Sequence, residues 1–228
     1  MTEFRQYPGR SSLMKELAGL VAEELKRALM QKGSASLAVP GGTTPGPFFE
    51  HLRAIKLDWS RVSVLLTDER FVPESSPRSN TALIRQTLLQ EEAAEANYVP
   101  LYEEAATPER VLDLLQERVQ AVLPLDVCVL GMGADMHTAS LFPGGDLLAR
   151  ALDCRAPVLL PMRAPGADEP RLTLTAPVFR MAGVVHLLIT GEEKRAALTQ
   201  AGKAASVLAA PVRVVLDRED PTLIHYAD

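Results

Sequence analysis

Residues 184–203, "VVHLLITGEEKRAALTQAGK", change their pattern at a single glycine. Up to Gly191 the run is aliphatic and β-branched, as in a strand buried on both faces. Beyond it, charged and apolar residues mix as in an amphipathic helix. A strand that feeds directly into a helix is half of a parallel crossover unit, so its recurrence would settle the fold class.

It recurs along the chain. From Ser12 to Gln31 the residues Leu13, Leu17, Leu20, Val21, Leu25, Ala28 and Leu29 repeat at three- and four-residue steps, with Gly33 as a stop. "SLAVP" (36–40) and "RVSVLLTD" (61–68) read as strands, and Pro45 after Thr44 opens a helix through Arg53. Asn80 is positioned to cap "TALIRQTLL", and Thr107 with Pro108 to start "ERVLDLLQERVQAVL". A strand follows at 126–130. The apolar segments "APVLLP" (156–161) and "RLTLTAPVFRMA" (171–182) lead into 184–203, and "VRVVLD" (212–217) is expected to be a last strand, with 217–228 closing the chain. The predicted fold class is α/β, a doubly wound, mostly parallel sheet with helices on both faces, in one domain spanning 1–228.

The chain has 228 residues, 47% of them hydrophobic and 23% charged, which is the balance of an ordinary globular protein with an ample core. No apolar run approaches the ~20 residues that cross a bilayer, and the first residues lack the layout of a secretory signal. Cys128 and Cys154 read as separate thiols. Together these features predict a cytoplasmic protein without membrane association. A net charge of −5 with no basic stripe argues against nucleic-acid binding. It leaves room for a small anion held by a local cluster of amides and arginines.

In doubly wound sheets ligands bind beyond the carboxyl ends of the strands, which makes three loops candidates. The first, 37–52, carries Gly41, Gly42, Thr43 and Thr44 ahead of a helix start, an arrangement able to cradle an anion. It reads equally as a tight strand-to-helix turn, and no Walker lysine follows the glycines. The second, 65–80, places Asp68, Glu69 and Arg70 at a strand end. An acid there could accept sugar hydroxyls beside a guanidinium suited to phosphate or carboxylate, although a solvated charge cluster has the same composition. The third, "DVCVLGMGADMHTASLFPG" (126–144), begins like a dinucleotide fingerprint, but Met136 occupies the third glycine's place, so a nicotinamide site is rejected. Gly131 and Gly133 permit a sharp turn that brings Asp135 and His137 to the strand end, where a carboxylate can orient an imidazole as a general base. The other histidines compete poorly: His51 lies in a helix, His186 in a strand suited to a satisfied core position, and His225 near the tail.

"VPGGTTP", "LLTDERFVP" with "SN" (79–80) after it, "VLGMGADMHTASLFPG", "PRLTLT" and "ITGEEKRAAL" occur in an order that resembles the bacterial 6-phosphogluconolactonases, relatives of the glucosamine-6-phosphate deaminases. The resemblance covers roughly residues 37–198, with "HTASLFPG" and "TDERFVP" its specific parts. It implies hydrolysis of 6-phospho-D-glucono-1,5-lactone, the second step of the oxidative pentose phosphate route. It implies no cofactor and no metal, with a phosphorylated sugar lactone as the only partner of a monomer or weak homodimer. Carried over by motif, His137 would take a proton from the attacking water and Asp135 would position it. Gly41, Gly42, Thr43, Arg70, Arg171 and Lys194 would hold phosphate and sugar acid, and Asp68 would accept sugar hydroxyls. Where the family usually has glycine between acid and histidine, this chain has Met136. If that position needs a positive φ, methionine there costs roughly 1–2 kcal/mol or shifts the turn.

Two other functions remain open on the residues. An isomerase or deaminase of an amino sugar phosphate is the nearer rival; the resembling deaminases place glutamate five residues after the histidine, where this chain has Phe142. A non-catalytic sugar-phosphate-binding module would keep the anion loop and lose the base, whereas Asp135 and His137 are both present.

Overall fold

A computed structural model of the chain describes residues 2–228. Its elements in chain order are β1 (Thr2–Gln6), α1 (Arg10–Lys32), β2 (Ala35–Val39), α2 (Gly46–Arg53), β3 (Val62–Leu66), β4 (Asp68–Arg70), α3 (Asn80–Thr87), β5 (Asn97–Val99) and α4 (Leu112–Gln120). They continue with β6 (Val127–Gly131), α5 (Leu148–Leu152), β7 (Leu159–Met162), β8 (Arg171–Leu174), α6 (Ala176–Met181), β9 (Val184–Thr190), α7 (Glu192–Ala201), α8 (Arg213–Leu216) and β10 (Thr222–Ala227).

Seven strands form one sheet in the order β1-β10-β9-β6-β2-β3-β5, with every neighbouring pair parallel. The central strands are the aliphatic runs read from sequence. β2 is buried throughout, and Val127 to Leu130 of β6 are buried as well, as strands covered by helices on both faces must be. α1 buries Leu13, Leu17, Val21 and Leu25, one stripe at four-residue spacing. No helix among the described residues is long and apolar enough to cross a membrane.

Two expectations are corrected. Residues 212–217, expected as the last strand, instead form the short helix α8: the Leu216 N–H returns to the Val212 carbonyl, and Val214 and Val215 are buried beside the turn. A six-residue run with four apolar members has no decisive period, and the place beside β9 is taken by β10, so β propensity is overridden by context. At α3 the cap is Ser79, whose hydroxyl accepts the Ala82 N–H at 3.2 Å, and not Asn80, which is the first helical residue and sends its side chain elsewhere.

A second sheet was not anticipated. β4, β8 and β7 form a small antiparallel sheet in which Asp68 pairs with Thr173 and Arg70 with Arg171. The Leu174 N–H bonds the Thr67 carbonyl at 3.0 Å and the Thr67 N–H the Val39 carbonyl at 2.9 Å, so this sheet is stitched to the carboxyl end of β2.

Within the main sheet a polar chain crosses the core. Glu24 of α1 meets Nε2 of His186 at 2.7 Å, Nδ1 of His186 meets Nε2 of His225 at 2.9 Å, and Nδ1 of His225 meets the Tyr7 hydroxyl at 2.8 Å. Both histidines are fully buried. With Glu24 ionised and both rings neutral, one direction satisfies every member: Tyr7 donates to His225, His225 to His186, and His186 to Glu24. His186 is thus a satisfied core position, as its strand context suggested, and the closing strand is tied to α1 through it.

Candidate active site

Three strand ends and the small sheet converge on one cavity of about 260 Å³. The loop after β2 contributes Gly41 and Gly42, the turn after β6 contributes Gly133 and His137, and α7, after β9, contributes Lys194. The small sheet contributes Asp68, Arg70 and Arg171. Of the residues singled out in the sequence, Thr43 and Asp135 do not line this cavity. Thr43 faces an adjoining groove with Arg10 and His51, and Asp135 stands behind the histidine.

The turn that carries His137 is built around that contact. Oδ1 of Asp135 accepts from Nδ1 of His137 at 2.6 Å, and the Gly133 N–H closes the turn on the His137 carbonyl at 2.9 Å. An ionised carboxylate only accepts, which places the ring proton on Nδ1 and leaves Nε2 as the basic nitrogen. Gly133 is obligatory: a Cβ there would lie 2.2 Å from Nδ1 of His137 and 2.3 Å from Oδ1 of Asp135. Phe142 packs its ring 4.6 Å from the imidazole, a wall that the sequence flagged only as a missing glutamate.

Met136 does adopt the left-handed conformation, with φ +67°, and Ala139 follows at +49°. A non-glycine residue there costs roughly 1–2 kcal/mol. The strain is held in place from both sides: the Met136 N–H bonds the Gly133 carbonyl at 3.0 Å, and its own carbonyl accepts the Val212 N–H at 3.0 Å. The helix α8 region, silent in the sequence, therefore buttresses the histidine turn. Methionine does not displace His137 from the cavity.

Asp68 already spends one oxygen. Its Oδ2 accepts the Ser140 hydroxyl, linking the small sheet to the histidine loop, and Oδ1 has only a long 3.3 Å contact from Thr67. Arg70 and Arg171 stand directly opposite one another across the antiparallel pair. Like charges in that position repel, and the Nε atoms of both are buried without a hydrogen-bond partner among the described residues. Burial, with Arg70 as a further cause, lowers the pKa of Arg171, while neighbouring Asp68 opposes the shift. Two adjacent guanidiniums with donors to spare are the fork geometry that recognises a phosphate dianion. Among the described residues no cluster of His, Cys, Asp and Glu could hold a metal ion.

Comparison with known proteins decides the family. The profile described as "Glucosamine-6-phosphate isomerases/6-phosphogluconolactonase" matches residues 8–224. The chain belongs to this family. The 6-phosphogluconolactonase of Mesorhizobium japonicum is 48% identical over 92% of this chain and 89% of its own length. That of Pseudomonas aeruginosa is 44% identical over 92% and 88%. A crystal structure of a 6-phosphogluconolactonase from Shewanella baltica superposes with a TM-score of 0.95 at 35% identity, covering 100% of this chain and 98% of that one. A monomeric glucosamine-6-phosphate deaminase shares the fold alone, at 16% identity and a TM-score of 0.81.

Proposed function

We propose that the chain hydrolyses 6-phospho-D-glucono-1,5-lactone to 6-phospho-D-gluconate, with His137 as general base and the Arg70–Arg171 pair as phosphate seat. The observation that carries the reading is His137, paired at 2.6 Å with Asp135 behind it, lining the same cavity as two opposed arginines. The relatives named 6-phosphogluconolactonase, at 44–48% identity over most of the chain, support the substrate.

In this reaction Nε2 of His137 takes a proton from water as its oxygen attacks the lactone carbonyl carbon. The tetrahedral adduct collapses by breaking the bond to the ring oxygen, which receives that proton from the imidazolium, and the new carboxylic acid ionises in water. Asp135 holds the ring in the productive tautomer and stabilises its transient positive charge. Gly41 and Gly42 offer backbone at the loop after β2, Lys194 adds charge from the first turn of α7, and the free oxygen of Asp68 accepts a sugar hydroxyl. Thr43, facing the adjoining groove, supports the loop. Phe142 presents no acid to assist ring opening, which favours hydrolysis over amino sugar isomerisation.

Turnover tests this directly. Freshly generated phosphorylated lactone should disappear faster than in buffer, and Arg70→Ala should raise KM for it by about tenfold or more, the worth of a charge-assisted bond. Unphosphorylated glucono-1,5-lactone should be far less affected by the same change. Equal rates with and without protein would exclude hydrolysis, and ammonia release from glucosamine 6-phosphate would support the rival. Equal losses on both lactones would remove Arg70 from the phosphate seat.

A further inference from the structure

Arg70 is a long side chain at the end of a three-residue strand, so its aim depends on what holds it. Its Nη1 donates to the Arg78 carbonyl and to Oδ1 of Asn80, each at 2.8 Å. Asn80 donates in turn from Nδ2 to the Asp68 carbonyl at 3.1 Å. Its carboxamide also fills the space beside the anion loop: a Cβ on Gly41 would sit 2.2 Å from it. One side chain, only 3% exposed, therefore touches the glycine loop, the Asp68 strand end and the Arg70 guanidinium.

The backbone under Asn80 is fixed by a group the reaction does not use. Glu69 is 1% exposed. Its Oε1 accepts the N–H of Arg70 at 2.7 Å and of Asn80 at 2.8 Å. Its Oε2 accepts the N–H and hydroxyl of Thr81, both at 2.7 Å, and the Ser79 hydroxyl at 3.3 Å. Burial raises the pKa of this carboxyl and the donors around it oppose the shift, as expected where a buried carboxylate is compensated by hydrogen bonds. It clamps both ends of the loop between Arg70 and Asn80. Arg78, near the end of that loop, donates to Glu169 at 2.8 Å.

We infer that Asn80 is a positioning residue that aims Arg70 from the helix start anchored by Glu69, and so sets the preference for phosphorylated over unphosphorylated lactones. Both sides of the carboxamide are engaged, the acceptor by the arginine and the donor by main chain, so the amide cannot flip without losing both bonds. The inference rests on the reading of Arg70 as part of the phosphate seat, and the experiment separates the two.

Arg70→Ala, Asn80→Ala and the double variant are assayed on 6-phosphogluconolactone and on glucono-1,5-lactone, with thermal melts alongside. Asn80→Ala should raise KM for the phosphorylated lactone by on the order of tenfold, with a much smaller change in kcat. The double variant should match Arg70→Ala alone, since an aiming residue has nothing left to aim. A further KM increase in the double variant would show that Asn80 acts on the ligand or the fold by itself, and would overturn the inference. Arg70→Ala with a phosphate-specific effect and Asn80→Ala with none would defeat the inference and leave the seat intact. No phosphate-specific effect of Arg70→Ala would defeat both. Should alanine loosen α3, Asn80→Ser suits a helix start and is too short to reach the guanidinium; it should show the same split.

Discussion

His137→Ala is expected to lower the rate of lactone opening by about 10²–10⁴, the usual worth of a positioned general base. The melting temperature should hardly move. The imidazole is partly exposed, its ring bonds only to Asp135 among the described residues, and the backbone bonds that close the turn do not depend on the ring. Residual catalysis would come from the anion seat alone. Steady-state rates, corrected for spontaneous hydrolysis, are the measurement: a variant that keeps wild-type kcat while folded would remove His137 from the reaction. Loss of structure in step with activity would show the histidine to be a core residue and not a base.

The second large effect concerns stability in acid. Burial, and then the neighbouring His186, hold the pKa of His225 down to about 3, with Arg5 contributing in the same direction. An unfolded histidine titrates near 6.5, so between these values the unfolded chain binds the proton that the folded chain refuses. Stability is therefore complete above pH ~6.5 and falls as pH drops toward ~3, by about 1.4 kcal/mol per pH unit and as much as ~5 kcal/mol in all. To admit that proton at Nδ1, His225 would lose the acceptor that takes the Tyr7 hydroxyl's hydrogen bond and would place a charge in the buried chain. Urea unfolding at pH 7, 6 and 5 should show the decline above the range where carboxylates titrate. His225→Gln, which keeps a donor and an acceptor without a titratable ring, should flatten it. A wild-type profile already flat between pH 7 and 5, or an unchanged slope in the variant, would contradict the buried neutral ring.

The parts of the fold legible in sequence are those with a strong one-dimensional pattern. The central strands are unbroken aliphatic runs and α1 is a four-residue stripe, because each is buried in a way that leaves only one kind of residue tolerable. The edge strand β1 is mostly exposed and has no apolar run, and the small sheet uses three- and four-residue strands whose members include two arginines and two acids. Neither carries a period. Residues 212–217 show the converse, a β-branched run made helical by its place in the packing. The site follows the same logic. Residues at strand ends beside glycines were visible, and seven of those singled out for binding or catalysis line the cavity. Asn80 is legible only as part of an "SN" with an adequate local explanation as a helix cap; its place in the cavity lining and its bonds to Arg70, ten positions away, and to the Asp68 carbonyl give it a further role.

Because His137 stands on a turn of the large parallel sheet while Asp68, Arg70 and Arg171 stand on the small antiparallel one, the cavity is lined from two separate supports. Under the proposed function, substitutions on β4 and β8, the strands of the small sheet that line the cavity, would alter the groups facing the ligand without touching the turn that carries His137. The hydroxyl of Ser140, reaching from one support to Asp68 on the other, is the hinge pin between these two halves of the workbench.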